Sequence, residues 1–190
     1  MRQLRLFIAV NFPEEIKKTL GAFIRGLSKI PSDLKWMGEE NLHLTVQFLG
    51  NVSEERLPAV SAALQNAVDG IAPFELVLEG VGAFPSVVRP RVLWAGISGE
   101  TAPLLMLQRQ VQKEMAVLGF EPEKRKFSPH LTLARARSPY GFADVMEQAQ
   151  WCGGLGKVFG TARIDSIVLM LSELQAKGPH YLALSRVPLL

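Results

Sequence analysis

The 190-residue sequence predicts a fold of intermixed strands and helices, built as one unit of two lobes about a pseudo-two-fold axis. Three observations predict it. Short apolar runs alternate with segments whose apolar residues recur at helical spacing. The second half repeats the order of the first: Arg5 to His43 is 38 residues, Arg91 to His130 is 39, and each interval begins with one strand and one helix. No Ser- or Gly-rich linker divides the chain, so residues 1–190 read as a single domain with an internal duplication, roughly 1–86 and 87–190.

In order, Arg5 to Val10 is a short run of strand formers and reads as a buried strand. Pro13-Glu14-Glu15 opens a helix, because Pro fits the first turn and acids suit its positive end. Ile16, Leu20, Phe23, Ile24 and Leu27 form its apolar stripe, and Pro31 stops it. A short strand at Leu34–Met37 and a longer one at Leu42–Leu49 follow. Ser53 to Arg56 starts a second helix that runs to about Val68, with Gly70 as its stop. Phe74 to Val81 alternates in the manner of a strand, which Gly80, Gly82 and Pro85 are expected to break. The second half gives a strand at Arg91–Ile97, a long helix from Thr101 to Leu118 and a strand at His130–Ala136. A weaker helix at Phe142–Gln150, one or two strands within Val158–Leu171 and a last strand at Tyr181–Val187 complete it.

Composition narrows the class. Hydrophobic residues make up 48% and charged residues 21%, which suits a packed globular core and excludes a disordered tail, a collagen-like chain or a coiled coil. The single Cys152 excludes an intramolecular disulfide and a multi-cysteine metal site. The longest aliphatic runs are about five residues, against about 20 for a membrane helix. Leu6–Val10 is too short for the apolar core of a signal peptide. The expectation is a cytoplasmic monomer with no membrane association and no evident protein partner. A net charge of +3 permits a polyanionic partner without demanding one.

The chemistry sits in two short motifs. The chain has three histidines and five threonines, and two of the histidines are followed by Thr two residues later. His43-Leu44-Thr45-Val46 answers His130-Leu131-Thr132-Leu133. In a strand, residues i and i+2 share a face, so His43 stands beside Thr45 and His130 beside Thr132, with the aliphatic residues behind. Two-fold symmetry would bring both pairs into one cleft. Two imidazoles supply one acid and one base near neutral pH. Two hydroxyls can donate to phosphoryl oxygens. A phosphodiester suits this set, and a cyclic one suits it best, since ring strain lets two histidines act without a metal. No His or acid cluster has ligand spacing, so neither metal nor organic cofactor is expected.

These residues carry a resemblance. The chain is similar to the two-histidine phosphoesterase superfamily, and more closely to the RNA 2',3'-cyclic phosphodiesterases, the LigT-like or ThpR group once named 2'-5' RNA ligases. The matching segments are 5–10, 40–50, Gly82-Ala83-Phe84-Pro85, 89–96 and 127–135, and the likeness thins between Phe142 and Gly156. The resemblance implies an α+β fold of two pseudo-symmetric lobes of antiparallel sheet, with flanking helices around a central cleft. It implies metal-independent hydrolysis of RNA 2',3'-cyclic phosphate ends, or of nucleotides bearing them, to 2'-phosphomonoesters. His43 would be the proton donor and His130 the acceptor, although the symmetric motif alone does not say which is which. Thr45 and Thr132 would hold phosphoryl oxygens. Three other readings use the same fold: reversible 2'-5' RNA ligation, hydrolysis of small cyclic nucleotides or ADP-ribose cyclic phosphate, and a non-catalytic RNA-binding module.

Other residues are open to two readings. Arg135 lies at odd offset from His130, so a regular strand would turn it away; a bend would return it as a phosphate contact. Trp36, Phe84 and Phe127 flank the motifs and either stack a base or pack the core. The basic run from Glu123 to Lys126 either attracts RNA or is a solvated loop. His180, after Gly178-Pro179, reads as a turn residue. Gly153 to Lys157 fails as a phosphate loop, because Trp151 and Val158 occupy its key positions.

Overall fold

The computed structural model describes residues 2–123, 125–152, 156–175 and 178–190. The elements run β1 (Gln3–Asn11), α1 (Glu14–Leu27), β2 (Leu34–Trp36), β3 (His43–Ser53), α2 (Leu57–Ala67), β4 (Phe74–Pro85), β5 (Pro90–Gly99), α3 (Thr101–Val117), β6 (His130–Ala136), α4 (Phe142–Trp151), β7 (Val158–Ile164), β8 (Ser166–Gln175) and β9 (Gly178–Pro188). Single-turn 3-10 segments at Glu39–Asn41 and Glu54–Arg56 precede β3 and α2. The helices fall where the periodicity placed them. Glu14 and Glu15 occupy the first turn of α1 and Arg25 its last, matching the helix dipole at both ends.

The strands form one antiparallel sheet in the order β7-β4-β5-β6-β3-β1-β8-β9, with β2 paired to the second edge of β6. The middle is thin: β3 and β6 meet at Leu44 opposite Leu131. On one side of this seam lie β3, β1, β8 and β9, and on the other β6, β5, β4 and β7. After β3 the chain crosses the seam twice, since β4 pairs with β5 and β7 while β8 pairs with β1.

One face of the sheet is covered by the helices and the other is a cleft. Strand β1 shows the division most plainly. Leu4, Leu6, Ile8 and Val10 join the main core with Leu20, Leu64, Leu107 and Val145 from the helices. Phe7 and Ala9 point the other way, onto Val168 and Met170 of β8, with Tyr181 of β9 packed beside them.

Strand β4 runs farther than its glycines suggest. Gly80 does not end it; it is the extra residue of a bulge between Glu79 and Val81, at φ +67°, a conformation glycine adopts without strain. Gly82 makes room for Trp94, whose ring would lie 2.3 Å from a Cβ added there. Strand β9 likewise begins at Gly178, so His180 is a strand residue opposite Glu173 rather than part of a turn.

Gly82→Ala forces the Trp94 ring to shift within packed surroundings. The expected cost is about 1–3 kcal/mol, typical of overpacking. Urea unfolding of the variant checks this; unchanged stability would contradict the close approach.

Candidate active site

Both motif histidines stand at the first residue of a strand, His43 on β3 and His130 on β6. Strand parity puts Thr45 and Thr132 on the same face. All four side chains line one open cleft of about 480 Å³ across the seam of the sheet, together with Arg5, Phe7, Phe48, Arg135 and Tyr181.

Two bulges shape the cleft. Ile8 pairs with Gln47 and Ala9 with Thr45, leaving Val46 as an extra residue in β3. Leu93 pairs with Ala134 and Trp94 with Thr132, leaving Leu133 as the extra residue in β6. Each bulge turns two consecutive side chains inward: Val46 and Gln47 are buried, as are Leu133 and Ala134. The alternation then resumes one residue late, and the fifth residue after each histidine returns to the cleft. That residue is Phe48 in one motif and Arg135 in the other. A regular strand would have hidden both.

The imidazoles are fixed in the same way. His43 Nδ1 lies 2.7 Å from the Asn41 carbonyl oxygen, and His130 Nδ1 lies 2.6 Å from that of Ser128. A carbonyl only accepts, so each Nδ1 carries the hydrogen and donates it. Each Nε2 then bears a lone pair. On His43 that lone pair accepts a hydrogen bond from the Thr45 hydroxyl at 3.1 Å.

The surroundings of the two rings differ. His43 sits in an aromatic collar: Phe7 lies 4.8 Å away between ring centroids and Tyr181 lies edge-on at 5.1 Å. Phe48 lies 6.1 Å from Phe7, so the collar extends to the rim. His130 meets Phe84 edge-on at 4.9 Å. Burial lowers both histidines, His43 to about 4, against the pull of the carbonyls that favours the charged form. The positive charge of Arg135 pushes both the same way. At neutral pH both rings are uncharged.

The three flanking aromatics do not line this cleft. Trp36 lies in an adjoining depression and also packs on the core; Phe127 packs on the core; Phe84 lies against His130 and Trp94. The cleft aromatics are instead Phe7, Phe48 and Tyr181. Alternation in β1, with Arg5 and Phe7 against Leu6 and Ile8, was a readable signal for Phe7; the bulge concealed Phe48. Lys124 of the basic run and residues 153–155 of the glycine-rich segment lie outside the described residues. Among the described residues, no three His, Cys, Asp or Glu side chains converge as a metal site. No helix among them is long and apolar enough to cross a membrane.

The model of the LigT like phosphoesterase family matches residues 10–94 and 96–181. The RNA 2',3'-cyclic phosphodiesterase of Archaeoglobus fulgidus is 35% identical over 179 residues, 94% of this chain and 96% of the relative. The protein of the same name from Methanothermobacter thermautotrophicus is 32% identical over 180 residues, 94% and 95% of the two chains. A solved Thermus thermophilus structure superposes with a TM-score of 0.78 at 30% identity, covering 97% of each chain. Escherichia coli LigT, solved in complex with 3'-AMP, gives 0.77 at 26% identity over 99% of each.

The buried imidazoles set a pH dependence of stability. An unfolded chain protonates its histidines as pH falls through 6.5, whereas folded His43 resists until about 4. The unfolded state binds more protons between these values, so folding is weakened as pH falls from 6.5 to about 4. His43→Gln is expected to lose less stability than the parent on acidification from pH 7 to 4.5, measured by urea unfolding. Parallel losses would contradict the assignment.

Proposed function

The chain belongs to the LigT-like phosphoesterase family, and on that premise we propose that it opens 2',3'-cyclic phosphates at RNA ends with His43 and His130 as an acid–base pair. The observation that carries this reading is the shared fixing of both rings: each Nδ1 is tied to a carbonyl and each Nε2 is free of hydrogen in one cleft.

The asymmetry between the rings supports the assignment of roles that the symmetric motif leaves open. Among the described residues His130 Nε2 has no protein partner, so it can take a proton from water at once. That water attacks phosphorus in line with the O3' bond. Its oxygen forms the new P–O bond, its proton passes to His130, and the P–O3' bond breaks. His43 Nε2 delivers a proton to the departing O3', leaving a 2'-phosphomonoester.

His43 is neutral in the free protein and must be charged before it can donate. A phosphate anion entering the cleft favours the imidazolium, offsetting burial. The Thr45 hydroxyl, which occupies His43 Nε2 in the free protein, then turns to a phosphoryl oxygen and releases the nitrogen for O3'. Thr132 and Arg135 meet the phosphoryl oxygens from the other strand. Phe48 and Tyr181, at the outer part of the collar, offer apolar faces to the base of the terminal nucleotide.

RNA ending in a 2',3'-cyclic phosphate, incubated with excess chelator, is expected to give a 2'-phosphate. His43→Ala and His130→Ala are each expected to lower turnover by about 10²-fold or more, without loss of fold. A 3'-phosphate product, or near-parental turnover in either folded variant, would overturn the reading.

A further inference from the structure

A second depression of about 320 Å³ opens beside the cleft. Met37, Asn41, Arg135, Pro179 and Tyr181 are walls of both. The Asn41 amide pins this boundary by donating to the Pro179 carbonyl at 3.1 Å, tying the turn before β3 to the start of β9. The remaining walls include Lys35, Trp36, Glu40, Gln175 and His180.

The cations here are placed against their own interest. Lys35 on β2 stands directly opposite Arg135 on β6. Residues directly opposite share a face with Cβ atoms about 5 Å apart, and like charges so placed repel. Among the described residues neither forms an ion pair; the pairs present are Lys17 with Glu14, Arg25 with Glu39 and Arg186 with Asp165. Glu40, the acid on these walls, accepts the Asn41 amide at 3.1 Å. Two adjacent unpaired cations at the mouth of a phosphate-binding cleft are relieved by a second phosphate.

We propose that this depression is the subsite for the penultimate nucleotide of an RNA strand. Lys35 meets the phosphodiester joining that nucleotide to the terminal one held in the cleft. The inference rests on the phosphodiesterase reading and makes the preferred substrate a strand end rather than a free nucleotide.

The test compares a dinucleotide ending in a 2',3'-cyclic phosphate with the mononucleoside 2',3'-cyclic phosphate, at several salt concentrations. One charge-assisted contact predicts a kcat/KM about tenfold higher for the dinucleotide. One added phosphate contact also steepens the log–log salt slope by about 0.7. Lys35→Ala is expected to abolish both differences and leave mononucleotide turnover unchanged. Equal kcat/KM and equal slopes for the two substrates would overturn the subsite, as would a Lys35→Ala loss shared by both. Inactivity of the parent on both substrates would overturn the phosphodiesterase reading instead. In that event calorimetry with 3'-phosphorylated di- and mononucleotides decides the subsite: tighter dinucleotide binding that Lys35→Ala removes supports it, and equal binding overturns it.

Discussion

The site depends on one short hydrogen bond made twice: from a histidine Nδ1–H to the carbonyl two residues earlier in the chain. Both histidines open a strand, and the residues two before them precede the sheet, Asn41 in a 3-10 turn and Ser128 in irregular chain. The carbonyls of Asn41 and Ser128 are thereby left outside the sheet ladder and free to accept. The bond costs little to build, since donor and acceptor are local. It decides the tautomer, and the tautomer decides which nitrogen faces the cleft. Burial then keeps both rings neutral, so the free protein holds two bases, one capped by Thr45 and one open.

The sheet supplies the second constraint. Each motif strand carries a bulge directly after its threonine, and each bulge returns the fifth residue to the cleft. The two matching bulges therefore deliver different chemistry: an aromatic ring, Phe48, on one side and a guanidinium, Arg135, on the other. The aromatic collar around His43 grows from the first. The charged stretch that Arg135 shares with Lys35 grows from the second. Packing on the opposite face, where the helices meet β1, β3 and β6, holds the strands that carry these groups.

Much of this was legible in the sequence. The helices follow from apolar spacing, and the motif pairs follow from strand parity, because both are local periodicities. Register was not legible. Arg135 and Phe48 reach the cleft only through bulges, which depend on pairing with β5 and β1 rather than on local pattern. The glycines of β4 looked like breakers; Gly80 is a bulge residue and Gly82 an accommodation of Trp94, and neither role can be seen without the partner strand. Pro179 suggested a turn at His180, yet pairing with β8 carries the strand through it. Trp36, Phe84 and Phe127 flank the motifs in sequence but lie outside the cleft, since proximity in sequence says little about which face a side chain takes.

The central claim is the tautomer of the two motif rings. Long-range ¹H–¹⁵N correlation of the imidazoles in the free protein at pH 7 reads it without substrate or turnover. His43 and His130 are both expected to be neutral, with the hydrogen on Nδ1 and an unprotonated Nε2. A hydrogen on Nε2 of either ring, or an imidazolium at that pH, would contradict the account.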